Sequence, residues 1–278
     1  MTISLFQRDI IWGDPAANIQ LNEQLLLDAP KSDVYVLPEM WSTGFVTSPA
    51  EAQIGDGATE LQWMQRMATQ LDAAIAGSIA IKADDGTYRN RFYFVTPHGV
   101  THYDKRHLFT YGGEHLRYAA GEERVIVEWR GVRFLLMVCY DLRFPIFSRN
   151  MPHEEGGYDC ALYVASWPTP RIEAWRTLLL ARAIENQCYV CGVNRVGTDP
   201  ICQYCGGTVA INPYGKILQA CPDGSASSLT FTLDLPSLQA FRQKFPVLKD
   251  RDCLDFKGIY RKLGGTDQER EIQIPMFL

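Results

Sequence analysis

The 278-residue sequence predicts one α/β domain whose helices cover the outer faces of its sheets. Three observations carry that expectation. Apolar runs of strand length alternate with amphipathic stretches at helical spacing. Several of the runs are apolar on nearly every residue, as in strands covered on both sides. No linker, low-complexity tract or internal repeat divides the chain, so a single domain is expected from residue 1 to 278.

The elements follow in order. "TISLFQ" reads as a first strand, because it lacks the basic flank and long apolar core of a signal peptide. "PAANIQLNEQLLLDA" reads as a helix with Pro15 near its start. Then come the apolar "DVYVLPE" and the amphipathic "ATELQWMQRMATQLDA". "AAIAGSIAIKA" and "RFYFVTP" read as neighbouring strands joined through "DDGTY". "RVIVEWRGVRFLLMVCYD" is expected to be a hairpin turning at Arg130-Gly131, its second arm ending at Cys139. The alternation then resumes, with "DCALYVASW" a strand, "EAWRTLLLARAIENQ" a helix and "CYVCGVNRV" a strand. "TVAINPYGKIL" is a hairpin around Pro213-Tyr214-Gly215. "SLTFTLDL" is a last strand before the helix "PSLQAFRQKF".

Composition narrows the function. Hydrophobic residues make up 46% of the chain, net charge is −5, and no block of Lys and Arg stands out. Nucleic acid and anionic membranes are therefore not expected as partners. No stretch approaches the roughly 20 apolar residues of a membrane span. Eight cysteines in a chain with no secretion signal fit a reducing cytoplasm better than a disulfide scaffold. Cys188, Cys191, Cys202 and Cys205 together resemble a four-thiolate zinc pattern. The first pair falls on a strand, where residues three apart face opposite ways. The gap between the pairs is also short for a zinc ribbon. No metal and no cofactor is expected.

Reactive groups in covered α/β sheets tend to lie just past strand ends, where loops open a crevice. Three apolar runs here end in a residue that is costly to bury or chemically reactive: Glu39 after "VYVLP", Lys105 in "YDKRHLF", and Cys139 after "FLLMV". Each alone has a plainer reading, as a solvated glutamate, a surface lysine or a core thiol. Together they suit nucleophilic catalysis. The thiolate is the reactive form of cysteine, an adjacent ammonium favours it, and a carboxylate can take the thiol proton. Lys105 and the backbone N–H of Tyr140 are placed to stabilise the oxyanion formed when a carbonyl is attacked. No cysteine–histidine pairing is marked by local sequence.

"LPEMWSTGF", "YDKRHLF" and "CYDLRFP" resemble the three signature blocks of the nitrilase superfamily, the carbon–nitrogen hydrolases. They stand in the family's order, with "RAIENQCYV" as further support, over most of the chain. The resemblance implies a four-layer αββα sandwich that pairs into a homodimer or higher homo-oligomer. It also implies a Glu39–Lys105–Cys139 triad, with Glu114 of "GGEHLRYAAG" as a fourth member that orients Lys105 and meets the substrate amino group. Glu122 and Glu123 are rivals for that fourth position. Within the family, "CYDLRFPIFSRN", "ASWPTPR" and "ARAIENQ" look most like the bacterial ω-amidases. Those enzymes cleave the terminal amide of 2-oxoglutaramate or 2-oxosuccinamate to the 2-oxo dicarboxylate and ammonia. Tyr140-Asp141 stands where nitrile-hydrolysing members carry Trp-Glu, which argues against a nitrile substrate. Thr208 replaces a serine usual in the family, which leaves the local loop shape open.

For a substrate with a carboxylate at its far end, Arg171 is the expected receptor. Arg143 is expected to bind protein carboxylates and fix its turn. Trp167 and Trp41 are the candidate pocket walls. The alternatives are another carbon–nitrogen hydrolase activity, such as aliphatic amide or N-carbamoyl cleavage, or a non-catalytic binding protein on the same fold.

Overall fold

The computed structural model describes residues 1–252. The expected domain's final stretch, 253–278, and Cys253 lie outside the described residues. The first run forms β1 (Thr2–Gln7). Helix α1 (Pro15–Asp28) begins where the Asp14 carboxylate accepts from Ala17 N at 3.0 Å, with Pro15 in the first turn. That start satisfies one free N–H and places proline where none is needed. There follow β2 (Val34–Val36), α2 (Ala58–Leu71), β3 (Ala74–Lys82), β4 (Tyr88–Thr96) and β5 (Gly99–Asp104). The expected hairpin is β6 (Ile126–Trp129) and β7 (Val132–Val138). Arg130 and Gly131 both take positive φ there, 49° and 78°, the conformation a two-residue turn of this hand requires.

The second half contains β8 (Cys160–Ala165), α3 (Ile172–Glu185), β9 (Tyr189–Asn194), β10 (Val196–Thr198) and β11 (Gln203–Cys205). It closes with β12 (Val209–Ile211), β13 (Ile217–Ala220), β14 (Ser227–Thr232) and α4 (Leu235–Lys244).

Two six-stranded sheets result, ordered β14-β1-β2-β3-β4-β5 and β13-β12-β9-β8-β7-β6, with β10 and β11 as a separate ribbon. Both sheets follow one plan. Three parallel strands in chain order, β1-β2-β3 and β7-β8-β9, are flanked by an antiparallel pair on one side and a single antiparallel strand on the other. The sequence shows no internal repeat because backbone pairing, not a particular set of side chains, carries this duplication.

The inner faces meet. Ile3, Leu5, Val34, Phe92 and Phe94 of one sheet share a buried cluster with Phe134, Leu136, Leu162 and Val193 of the other, and the rings of Phe94 and Phe134 lie 5.4 Å apart. Outside, Phe6, Tyr35, Ile75 and Tyr93 pack with Trp63, Met64 and Met67 of α2. Trp175, Leu179 and Ala183 bury one face of α3 on the second sheet. The layers run α, β, β, α, the nitrilase-type sandwich. Period-2 alternation sends alternate residues of each strand to the inner core and the outer helices, which explains the continuous apolar runs.

Candidate active site

The site lies where β2, β5, β7 and β8 end. Pairing with β3 continues past β2, with Leu37 N donating to Ala76 O at 2.7 Å, and Glu39 follows, fully buried. Lys105 follows β5. Its backbone is gripped by Asn90 O, which accepts from Lys105 N at 2.9 Å, and by Gly121 N, which donates to Lys105 O at 3.0 Å. Gly121 has to be glycine, since a Cβ there would lie 2.2 Å from Asp104 O. Glu114 sits in a single 3-10 turn, Glu114–Leu116.

These three side chains form one buried knot. Lys105 Nζ donates to Glu39 Oε1 at 2.9 Å and to Glu114 Oε1 and Oε2 at 3.1 and 2.9 Å. Asn90 Nδ2 bridges both carboxylates, at 2.8 Å to Glu39 Oε1 and 3.1 Å to Glu114 Oε1. Backbone donors complete the set. Ser166 N reaches Glu39 Oε2 at 2.8 Å, and Phe109 N reaches Glu114 Oε2 at 2.6 Å. Two carboxylates against one ammonium leave the knot net negative when all three are charged. Burial alone would lower the Lys105 pKa, but Glu114 and Glu39 hold it above the ordinary lysine value. Burial pushes Glu114 up despite the pull of Lys105.

Cys139 opens the 3-10 turn Cys139–Arg143 directly after β7. Its φ of +45° lies in the left-handed region that a non-glycine residue adopts only when its surroundings hold it there. Asp141 holds it. Its buried carboxylate accepts from Val138 N (2.9 Å), Tyr103 Oη (2.8 Å) and His107 N (3.0 Å), and meets His107 Nδ1 at 2.8 Å. Tyr140 N, at the start of this turn, has no intrahelical acceptor. Burial and the Glu39 carboxylate push the Cys139 thiol well above the ordinary cysteine value, and Lys105 offsets only part of this. The Lys105 ammonium favours the thiolate, as expected, but burial and the two carboxylates that share its charge outweigh that pull.

A cavity of about 260 Å³ opens over the thiol, lined among others by Phe45, Phe109, Tyr140, Trp167, Arg143 and Arg171. The guanidinium of Arg171 lies 5.3 Å from the Phe109 ring centre, and that of Arg143 lies 4.9 Å from the Trp167 ring. Trp167 Nε1 also donates to Arg171 O at 2.7 Å. A larger hollow of about 480 Å³ near Arg242 has no cysteine, serine or threonine among its described lining residues, and Arg242 there is bound to Asp159, Tyr158 O and Gln187 O.

Glu39, Lys105, Glu114 and Cys139 are therefore brought together, with Tyr140, Arg171 and Trp167 around the same cavity. Glu122 and Glu123 are exposed and play no part in the knot. Two expectations fail. Trp41 is no pocket wall. The chain turns at Met40, φ 45°, and delivers the Trp41 ring to the helix side of the sheet, buried 4.9 Å from Trp63. Arg143 binds no protein carboxylate among the described residues; Asp141 holds the turn instead. Thr208 preserves the loop through its hydroxyl, which donates to Asn194 O and accepts from Asn194 N. The four cysteines of the zinc-like pattern do not gather. Cys188 points to Arg182 O, and Cys191 Sγ lies 3.7 Å from Cys160 Sγ. Among the described residues, no group of three or more His, Cys, Asp or Glu is placed to hold a metal ion.

Sequence reasoning missed Asn90 and Asp141. Asn90 was passed over because β4 begins at Tyr88, earlier than its apolar run, and so includes a polar residue paired opposite Ala80. Asp141 carries no signal beyond its position two residues after the thiol.

The Carbon-nitrogen hydrolase family profile matches residues 2–243. The chain is 46% identical to the omega-amidase YafV of Escherichia coli K12 over 254 residues, 91% of this chain and 97% of that protein. It is 35% identical to the 2-oxoglutaramate amidase of Bacillus subtilis 168 over 254 residues, 90% and 96% of the two chains. Among solved structures it resembles XC1258 of Xanthomonas campestris, a CN-hydrolase superfamily protein with an arsenic adduct in its active site. The two share 40% identity and a TM-score of 0.87, covering 91% of this chain and 98% of that one.

Proposed function

Since the chain belongs to the carbon–nitrogen hydrolase family, we propose that it is an ω-amidase, hydrolysing the terminal amide of 2-oxoglutaramate or 2-oxosuccinamate to the 2-oxo dicarboxylate and ammonia. The observation that carries this reading is the buried Glu39–Lys105–Glu114 knot beside the Cys139 thiol, under a cavity bordered by guanidinium groups. Relatives named omega-amidase and 2-oxoglutaramate amidase support the substrate class.

In the first half-reaction Cys139 Sγ bonds to the amide carbon as its proton passes to Glu39. The oxyanion takes hydrogen bonds from Tyr140 N–H and Lys105. Lys105 has the capacity for this, because one bifurcated N–H can serve both oxygens of Glu114. Glu39 then protonates the departing nitrogen, the carbon–nitrogen bond breaks, and ammonia leaves a thioester. In the second half-reaction Glu39 takes a proton from water, which attacks the thioester and releases the acid and the thiol. The raised thiol pKa fits this order, since the thiolate forms only as substrate is attacked. Glu114 positions Lys105, and Arg171 receives the substrate carboxylate.

The reading extends to a homo-oligomer in the cytoplasm. Free thiols at all seven described cysteines and the exposed edge strand β13, with Ile217 half-exposed, support it. No helix among the described residues is long and apolar enough to cross a membrane. A purely monomeric profile in analytical ultracentrifugation would overturn the oligomer.

Ammonia release from 2-oxoglutaramate by wild type and Cys139→Ala tests the function. The expected loss in the variant is at least about 10³-fold in kcat. Full activity in the alanine variant would remove the nucleophile assignment, and carbon dioxide appearing with ammonia from N-carbamoyl substrates alone would favour carbamoyl cleavage.

A further inference from the structure

We infer that Arg143 is a second receptor for the substrate carboxylate, so that this pocket selects amides carrying an anionic group over neutral amides of the same size. The inference rests on the amidase reading of the site and adds a specificity-determining residue to it.

Arg143 has no other evident employment. The turn that carries it is tied by Asp141 to Val138 N, Tyr103 Oη and His107 N, and no hydrogen bond or ion pair engages the Arg143 guanidinium among the described residues. The side chain is exposed on the cavity wall. Among the described residues it lies against the Trp167 ring, with the guanidinium carbon 4.9 Å from the centre, a contact that holds the group without using its N–H donors.

The charge around it is unbalanced. Arg171 borders the same cavity and is likewise held by rings, those of Phe109 and Tyr111. Among the described residues the one acid in the cavity wall is Asp199, whose oxygens accept hydrogen bonds from neutral donors: Oδ1 from Ile201 N at 2.8 Å and Cys202 N at 2.6 Å, and Oδ2 from Tyr204 Oη at 2.5 Å. Two guanidinium groups thus face a mainly apolar cavity, and among the described residues neither is ion-paired. Their N–H donors are free to meet an entering carboxylate in charge-assisted pairs. Trp167 links the two, since its face carries Arg143 and its N–H holds Arg171 O. A 2-oxo acid presents a carboxylate and an adjacent carbonyl oxygen, enough acceptors to engage both.

The test compares kcat/KM for 2-oxoglutaramate, succinamate and neutral butyramide in wild type, Arg143→Gln, Arg143→Lys and Arg171→Gln. Arg143→Gln is expected to lower the ratio of anionic to neutral amide by about 10- to 100-fold, through KM, as loss of one charge-assisted pair would. Arg143→Lys should recover part of the ratio. An unchanged ratio, or an equal fall for butyramide, would overturn the inference and make Arg143 a prop for Trp167. If wild type cleaves succinamate but ignores 2-oxoglutaramate, the ω-amidase reading fails, while the succinamate-to-butyramide ratio still decides the role of Arg143.

Discussion

The Cys139 thiol and the Glu39 carboxylate lie side by side in one buried site, so each controls the other's proton. Replacing Glu39 by Gln removes the negative neighbour that, after burial, does most to raise the thiol pKa. The sign follows: with less repulsion the thiolate is easier to form, and the thiol pKa falls. Thiolate absorbance near 240 nm in Glu39→Gln should therefore appear at lower pH than in wild type, while amide turnover drops by about 10³-fold or more for want of a base. A thiol pKa that rises or stays put would show that Glu39 is not the group facing it. Glu39 and Cys139 were legible in the sequence because each ends an apolar run with a group that is costly to bury or reactive, and such a group needs a reason; Lys105 stood out only as the residue just beyond a short strand-like piece, in the block "YDKRHLF". Asn90 was not, since one asparagine in a strand costs little and its two carboxylate partners come from distant segments. Trp41 misled for a related reason. Adjacency in sequence to Glu39 says nothing about side when a left-handed residue intervenes.

At the level of elements, the site depends on how closely the loop carrying Glu114 can lie on the end of β5. Gly121 sets that distance. A methyl group there meets backbone, the Asp104 carbonyl, so the neighbour cannot swing aside as a side-chain tip can. Gly121→Ala should therefore shift the 104–105 backbone and loosen Lys105 from its two carboxylates. The expected cost is roughly 1–3 kcal/mol of stability, as for overpacking in a full core, with a fall in kcat larger than any change in KM. Gly99→Ala, also in the β5 region but with nothing within 4 Å of its Cβ, serves as the control. Equal melting temperatures and activities for the two variants would refute the close-approach argument. The β6–β7 hairpin and the ends of β5 and β7 could be read from the chain, because turn chemistry and apolar runs are local. The 3-10 turn after Cys139 could not, as Asp141 secures it through Tyr103 and His107, more than thirty residues away.

Across the whole molecule, the two sheets cannot be separated without opening the shared core. Side chains from both inner faces form one buried cluster, and β14, late in the chain, pairs with β1 along its full length. That long-range pairing leaves no trace in periodicity, so composition and pattern led only to helices over sheets, and the sandwich came from family resemblance. The consequence is thermodynamic. A molecule whose halves share one core should lose both together, and we expect a single heat-absorption peak in calorimetry. At about 0.7 kcal/mol per residue near 60 °C, the 252 described residues correspond to an unfolding enthalpy of roughly 180 kcal/mol. Near-ultraviolet circular dichroism, which reports on aromatic packing such as Phe94 against Phe134, should follow the same transition as the far-ultraviolet signal. Two resolved peaks, or aromatic packing lost well before the sheets, would mean that the inner faces part independently, and the single-domain reading would have to be given up.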